Sequence, residues 1–217
     1  MRRQIPDILQ DHELAALLAV PNVTTPSGLR NRALLELMAN AGLRSKEIVG
    51  LRTRDIREED GQVTLHLRQT KGDRPRRVPL PPGTADWLRL WLASRHGVGI
   101  GSGPVFCTIS RGERRAGFAR NAELQPGRSL SDRYLRALVA RCARKAGIQR
   151  RVHPHMLRHT FATRLLRHTR NLRVVQTALG HASITTTQVY THVIDDELSE
   201  AMIALPPPGA TGAPQGS

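Results

Sequence analysis

His155, Arg158 and His159 follow Pro154 at positions that one helix would bring to a single face. Residues three and four apart are neighbours on a helix surface. His155 and Arg158 together could hold an anion such as a phosphate, because a guanidinium donates two parallel hydrogen bonds. The spacing of His155 and His159 can also bind zinc, but no glutamate stands between them and no third ligand is evident. A metal site is therefore not expected.

The overall charge also indicates an anionic partner. The 217 residues include 33 Lys and Arg against 18 Asp and Glu, a formal net charge of +15. This excess is typical of proteins that bind a polyanion, either nucleic acid or an anionic membrane. The sequence contains no long apolar run and no apolar segment directly after Met1, so neither membrane insertion nor secretion is expected. An intracellular, cytoplasmic protein is expected.

Five short motifs follow one another along the chain. They are AGLRSKE at 41–47, TKG at 70–72, HMLRH at 155–159, LGH at 179–181 and TTTQVYTH at 185–192. Each motif alone is weak, and the specificity lies in their ordered combination. Together they resemble the phage integrase and Xer family of tyrosine recombinases, and the resemblance extends over residues 11–205.

The resemblance implies a catalytic site that acts on a DNA phosphodiester. Its six candidate residues are Arg44, Lys71, His155, Arg158, His181 and Tyr190. Attack on the phosphodiester builds negative charge on the non-bridging oxygens, which the two arginines would stabilise. Lys71 is one of only three lysines, and a lysine, unlike an arginine, can give a proton to the leaving 5′ oxygen. Tyr190 would be the nucleophile, and its phosphotyrosyl bond would store the energy for rejoining, so neither cofactor nor metal is expected.

Each of these residues also has an ordinary structural interpretation. Arg44 and Arg158 are two of thirty arginines, and Lys71 stands in a polar turn. Tyr190 in isolation would more often be a half-buried packing residue. His181 could interact with a helix C-terminus. Only the positions of these residues in the motifs favour catalysis. Glu47, which matches an acidic position of the family, is interpreted as structural.

Capping residues and apolar periodicity predict the elements that position this site. Helices are expected at 13–20 after Asp11, 27–42 after Ser27, 46–51 after Ser45, 84–94, 131–147 after Ser131, 155–166 after Pro154, 172–179 and 195–205. A turn is expected at 58–61, a hairpin with Lys71 at its tip between strands at 63–67 and 78–80, a further strand at 105–107 and an irregular basic loop at 110–128.

These elements predict a mainly α fold with a small antiparallel β-sheet (α+β), which by resemblance is the tyrosine recombinase catalytic-domain fold. A single catalytic domain is expected over residues 1–205, followed by a disordered tail at 206–217. Members of the family usually carry a helical DNA-binding domain ahead of the catalytic one; because so few residues precede the first predicted helix, a naturally short or a truncated chain is expected here. The helix at 195–205 is the candidate contact between protomers of a tetramer on paired DNA sites.

Two functions from different classes are consistent with this sequence. The first is a site-specific recombinase or integrase that acts on double-stranded DNA in the nucleoid. The second is a catalytically silent DNA-binding remnant or regulator with the same fold. Relaxation of supercoils would use the same chemistry. A metal-dependent nuclease is disfavoured, because Glu58, Glu59 and Asp60 are expected in a turn and form no evident metal site.

Overall fold

The computed structural model describes residues 7–68, 75–109 and 127–180. The helices are α1 Asp11–Ala19, α2 Pro26–Asn40, α3 Ser45–Gly50, α4 Pro82–Gly97, α5 Asp132–Lys145, α6 Pro154–Thr169 and α7 Leu172–Leu179. A 3₁₀ turn, Thr53–Asp55, precedes the strands β1 Ile56–Glu59, β2 Gln62–Leu67 and β3 Arg76–Pro79. The predicted class, mainly helical with a small antiparallel sheet, is confirmed.

Helix α2 forms the centre of the core. All seven residues from 33 to 39 are buried, so the helix is covered on every side. It packs against α4, α6 and α1. Trp91 of α4 is fully buried in this core, and its indole N–H donates to the Val105 carbonyl at 2.9 Å. The C-terminal end of α2 is thereby held firmly, and the residues after it enter the candidate site.

The first three helices begin differently from the prediction. Asp11, Ser27 and Ser45, which were predicted to cap them, lie within the first turn of their helices. Thr25 caps α2 instead: its hydroxyl accepts from the Gly28 N–H at 3.1 Å. The reason is Pro26, whose fixed φ and missing N–H suit the first helical position and move the start of the helix forward.

The later helices begin as predicted. Ser131 caps α5 by accepting from the Tyr134 N–H at 3.2 Å, and Pro154 is the first residue of α6. Helix α6 continues to Thr169, three residues beyond its predicted end at 166. Residues 105–107, predicted as a strand, instead make an isolated bridge through Cys107. Cys107 and Cys142 are free and buried, as ordinary thiols.

The sheet has the strand order β1-β2-β3, with both pairs antiparallel. The turn predicted over 58–61 is shorter than expected, because residues 58 and 59 belong to β1 and only Asp60 and Gly61 form the turn. Both turn residues have positive φ (49° and 77°), as a tight two-residue hairpin of the Asp-Gly type requires. Lys71, the predicted tip of the β2–β3 hairpin, lies outside the described residues.

A second, smaller hydrophobic cluster joins α6 to α7. Its buried members are Ala162, Leu166, Val175 and Leu179, and Phe161 packs against it. This cluster packs α7 against the second half of α6. Among the described helices, none is both long and apolar enough to cross a membrane. The predicted helix at 195–205, the tail at 206–217 and most of the basic segment at 110–128 lie outside the described residues.

Candidate active site

The N-terminal turns of α6 carry two of the six predicted site residues. His153 caps the helix, with Nδ1 accepting from the Met156 N–H at 3.2 Å. His155 and Arg158 follow within the next two turns, as their spacing predicted. His155 is exposed, and its ring meets that of His159 edge-on, with the centroids 4.2 Å apart. Arg158 points inward and is only 4% exposed.

The buried Arg158 guanidinium binds the ends of two other helices. Nη1 donates to the Gly42 carbonyl just after α2, and Nη2 donates to the Leu179 carbonyl at 2.7 Å. The C-terminal end of a helix carries partial negative charge and unpaired carbonyls, so a guanidinium there is stabilised by the dipole as well as by hydrogen bonds. Arg158 therefore holds α2, α6 and α7 together at one point.

Gly42 is required at this junction by its backbone and by its surroundings. Its φ is +59°, in the left-handed region where a side chain is disfavoured. A Cβ at this position would lie 2.3 Å from Cδ1 of Phe161, which packs against the cluster between α6 and α7. The glycine allows α2 to end against α6 and presents its carbonyl to Arg158.

Arg44 reaches the same region from the start of α3. Its backbone N–H donates to Oε2 of Glu47 at 2.7 Å, which closes the first turn of the helix. Its guanidinium Nη1 lies 3.4 Å from Oε1 of the same carboxylate, and its side chain is 32% exposed. Arg44 is thus anchored at its backbone while its side chain remains partly exposed to solvent.

Glu47 lies at the centre of the cluster and is the residue whose importance the sequence interpretation underestimated. Its carboxylate is 6% exposed and contacts three guanidiniums: Arg76 at 2.5 and 3.0 Å, Arg44 at 3.4 Å and Arg158 at 4.0 Å. Among these four described residues one negative charge faces three positive ones, an arrangement that suits an incoming phosphate. We call these four residues the Glu47 cluster.

Arg76 belongs to the cluster but was not predicted. Besides its paired hydrogen bonds to Glu47, its Nε donates to the Ala178 carbonyl of α7 at 3.2 Å. The signal was present in the sequence: side chains alternate along a strand, so Arg76 shares the inward face of β3 with Val78. A buried arginine needs an acidic partner, and Glu47 supplies it.

The pKa of His155 lies below its ordinary value. The surrounding protein removes part of the hydration that favours the charged ring, and the positive charges of Arg158, His153 and Arg44 lower the pKa further. His155 is therefore neutral at pH 7 and can donate or accept one proton beside a bound phosphate.

The structure thus brings together three of the predicted site residues, Arg44, His155 and Arg158, from two separate motifs. The other three, Lys71, His181 and Tyr190, lie outside the described residues. The described chain ends at Gly180, directly after the Leu179 carbonyl that Arg158 binds. Within the described ranges no group of three or more His, Cys, Asp or Glu side chains could hold a metal ion.

Several known proteins are similar to this chain in sequence and fold. Residues 7–197 match the Phage integrase family. The tyrosine recombinase XerD of Ralstonia nicotianae is 39% identical over 197 residues, which make up 90% of this chain and 58% of that protein. XerC of Xylella fastidiosa (strain 9a5c) is 38% identical over 208 residues, 94% of this chain and 62% of that protein.

Among solved structures, the XerH site-specific recombinase in its post-cleavage complex with a palindromic difH substrate superposes with a TM-score of 0.73 and 31% identity. The match covers 92% of this chain and 53% of that one. The chain therefore spans only about half to three fifths of the length of the relatives it matches. On the extent of the family match, this chain belongs to the phage integrase family of tyrosine recombinases.

Proposed function

We propose that this chain is the catalytic domain of a site-specific DNA recombinase that cuts and rejoins double-stranded DNA through Tyr190. The observation that carries the proposal is the convergence of Arg44, His155 and Arg158 on one positively charged site around Glu47. These residues come from motifs more than a hundred positions apart, and a merely basic surface would not bring them together.

The chemistry follows from the groups at this site. The Tyr190 hydroxyl gives its proton to solvent as its oxygen forms a bond to phosphorus, the bond from phosphorus to the 5′ oxygen breaks, and the 5′ oxygen takes up a proton from Lys71. Arg44 and Arg158 stabilise the charge on the non-bridging oxygens. The neutral His155 adds a hydrogen bond without adding a further charge. The reverse reaction restores the phosphodiester, because the phosphotyrosyl bond keeps its energy.

His181 also has a catalytic role in this proposal: it forms a second hydrogen bond with the phosphate. It takes the catalytic domain as residues 1–205, with the tail at 206–217 outside it. The helix at 195–205 would contact a second protomer, so that four chains assemble on two paired DNA sites. The relatives XerD and XerC, which are tyrosine recombinases by name, support the activity.

The test is formation of a covalent adduct. The protein is incubated in chelator with a pool of randomised duplexes, each nicked near its centre so that cleavage releases a short fragment and cannot reverse. We expect a denaturation-resistant protein–DNA adduct that maps to Tyr190 by mass spectrometry. Tyr190→Phe is the matched control, because it removes one oxygen and keeps the ring. It should bind DNA and form no adduct.

Two outcomes contradict the proposal. An adduct that survives in Tyr190→Phe would assign the nucleophile elsewhere. Salt-sensitive DNA binding with no adduct from the unmodified chain would favour the alternative function, a silent DNA-binding protein.

A further inference from the structure

The sheet has one apolar face and one basic face. Along β2 the side chains of Val63, Leu65 and Leu67 point into the core. The opposite face carries His66, which pairs directly across the strands with Arg77, and Arg57 of β1, which pairs with Thr64. His66, Arg57 and Arg77 are all exposed. The solvent face of the sheet therefore presents an arginine from each outer strand, with the His66 ring between them.

These side chains line an open cavity of about 460 Å³. Its basic wall residues are Arg54, Arg57, His66, Arg68, Arg76 and Arg77. We call this cavity the sheet groove. Such a concentration of like charge costs free energy unless an anion occupies the space between the side chains.

The positive charge of the sheet groove is largely uncompensated within the protein. Asp55, the acid in its wall, is buried and already accepts from Arg68 at 3.0 Å. In the part of the chain that the structure describes, no carboxylate lies within ion-pair distance of Arg54, Arg57 or Arg77. These three guanidiniums are therefore available to an external anion.

The other end of the sheet has the opposite character. Next to the turn between β1 and β2, Glu58 binds Arg89 of α4 at 2.8 Å, and Asp86 binds the same arginine at 2.7 Å. Charge is thus segregated along the strands, with acids at the turn and free arginines at the end nearer the β2–β3 connection. A long polyanion is repelled from the first end and attracted to the second.

The sheet groove is continuous with the candidate active site. Arg76 lines the groove while its guanidinium is bound to Glu47. A second cavity, lined by Lys46 and Glu47, shares Asp55, His66, Leu67 and Arg68 with it. A polyanion whose phosphate occupied the Glu47 cluster could therefore extend across the sheet without leaving the positive surface.

We propose that the sheet groove binds the phosphate backbone of the duplex that flanks the cleaved phosphate. This inference rests on the proposed function, because it takes DNA as the substrate at the Glu47 cluster. The groove is open, and arginines supply most of its charged wall, which suits a continuous backbone better than a small ligand that must be enclosed. Arg54, Arg57 and Arg77 hold the duplex in place, while Arg44 and Arg158 act on the reacting phosphate.

The test compares two double variants that remove the same charge. Arg57→Gln/Arg77→Gln removes two cations from the groove, and Arg144→Gln/Arg167→Gln removes two exposed cations outside it. Affinity for a fluorescent duplex is measured by anisotropy over a series of salt concentrations. Each lost phosphate contact lowers the slope of log Kd against log salt by about 0.9. We expect the slope to fall by about 1.8 in the groove variant and by less than half of that in the control.

Phosphate ethylation then shows where the groove acts. With the unmodified chain, ethylation of phosphates on one side of the cleavage position should weaken binding, and the groove variant should become insensitive at those phosphates alone. Equal salt slopes for the two double variants, or unchanged ethylation patterns, would overturn the inference. Both measurements record binding without cleavage, so an absent Tyr190 adduct refutes the activity, whereas an adduct with unchanged slopes refutes the groove.

Discussion

The Glu47 cluster and the sheet groove contain the same type of side chain under opposite conditions. In the cluster, Arg76 and Arg158 are buried, and both lie at one carboxylate. In the groove, Arg57 and Arg77 are exposed, and no described acid pairs with them. Burial with a partner fixes the position of a charge, and exposure without one leaves it free to bind. The two neighbouring arginines of β3, Arg76 and Arg77, divide these roles by pointing in opposite directions.

The largest expected effect comes from Glu47→Gln. The substitution keeps the shape of the side chain but leaves three guanidiniums without their shared counter-charge, at a cost of about 3–5 kcal/mol in the free energy of unfolding. Glu58→Gln is the matched control, because it breaks an exposed ion pair worth about 1 kcal/mol or less. Urea denaturation measures both. Equal losses of stability in the two variants would mean that the Glu47 carboxylate does not stabilise the cluster.

Gly42→Ala should be next in size. The new methyl group would be forced into a left-handed backbone conformation and against Phe161, which together cost roughly 2–4 kcal/mol. Gly61→Ala is the control: its φ is also positive, at +77°, but nothing lies within 4 Å of the added Cβ. We expect Gly61→Ala to cost about 1 kcal/mol. A similar loss in the two variants would show that the contact with Phe161 does not constrain Gly42.

Arg76→Gln and Arg77→Gln test the contrast between adjacent residues. Arg76→Gln should lower the free energy of unfolding by about 2 kcal/mol, because Glu47 loses its closest partner and the Ala178 carbonyl loses a donor. Arg77→Gln should change stability by less than about 0.5 kcal/mol and weaken duplex binding instead. Thermal unfolding and anisotropy on both proteins check this. The comparison fails if Arg76→Gln unfolds no more easily than Arg77→Gln.

The smallest effect concerns pH. The pKa of His155 is lowered in the folded protein, so below about pH 6.5 the unfolded chain binds more protons at this residue. Its contribution to stability is therefore intact at neutral pH and is lost as the pH falls from about 6.5 towards the lowered pKa. Unfolding of the unmodified protein and of His155→Gln at pH 7.5 and about pH 5.5 measures it. We expect the unmodified protein to lose more stability; equal losses would contradict the lowered pKa.

Local signals predicted the helical part of this fold well. Ser131 and Pro154 mark helix starts through a side-chain hydrogen bond and a fixed φ, and both effects depend on residues close in sequence. Strand β1 was missed because its exposed residues, Glu58 and Glu59, have the composition of a turn. Its pairing with β2 decides the structure there, and pairing is not a property of the segment alone.

The residues of the candidate site were likewise predicted where the signal is local and missed where it depends on packing. The motifs identified Arg44, His155 and Arg158, and the structure brings these three together. Arg76 was missed because its position depends on which face of β3 is buried, and Glu47 was interpreted only as a structural residue. A carboxylate that serves three arginines from α3, β3 and α6 is visible only once these elements are packed.

Arg158 is held by the backbone carbonyls of Gly42 and Leu179 and not by side chains at those two positions. Every residue type has a backbone carbonyl, so the acceptor at Leu179 does not depend on the side chain there. Substitutions can accumulate on the exposed side of α7, provided that the helix still ends at the same place. The hydrogen bonds that position this arginine therefore survive changes in the side chains around them. The surrounding surface can then change to suit new DNA targets.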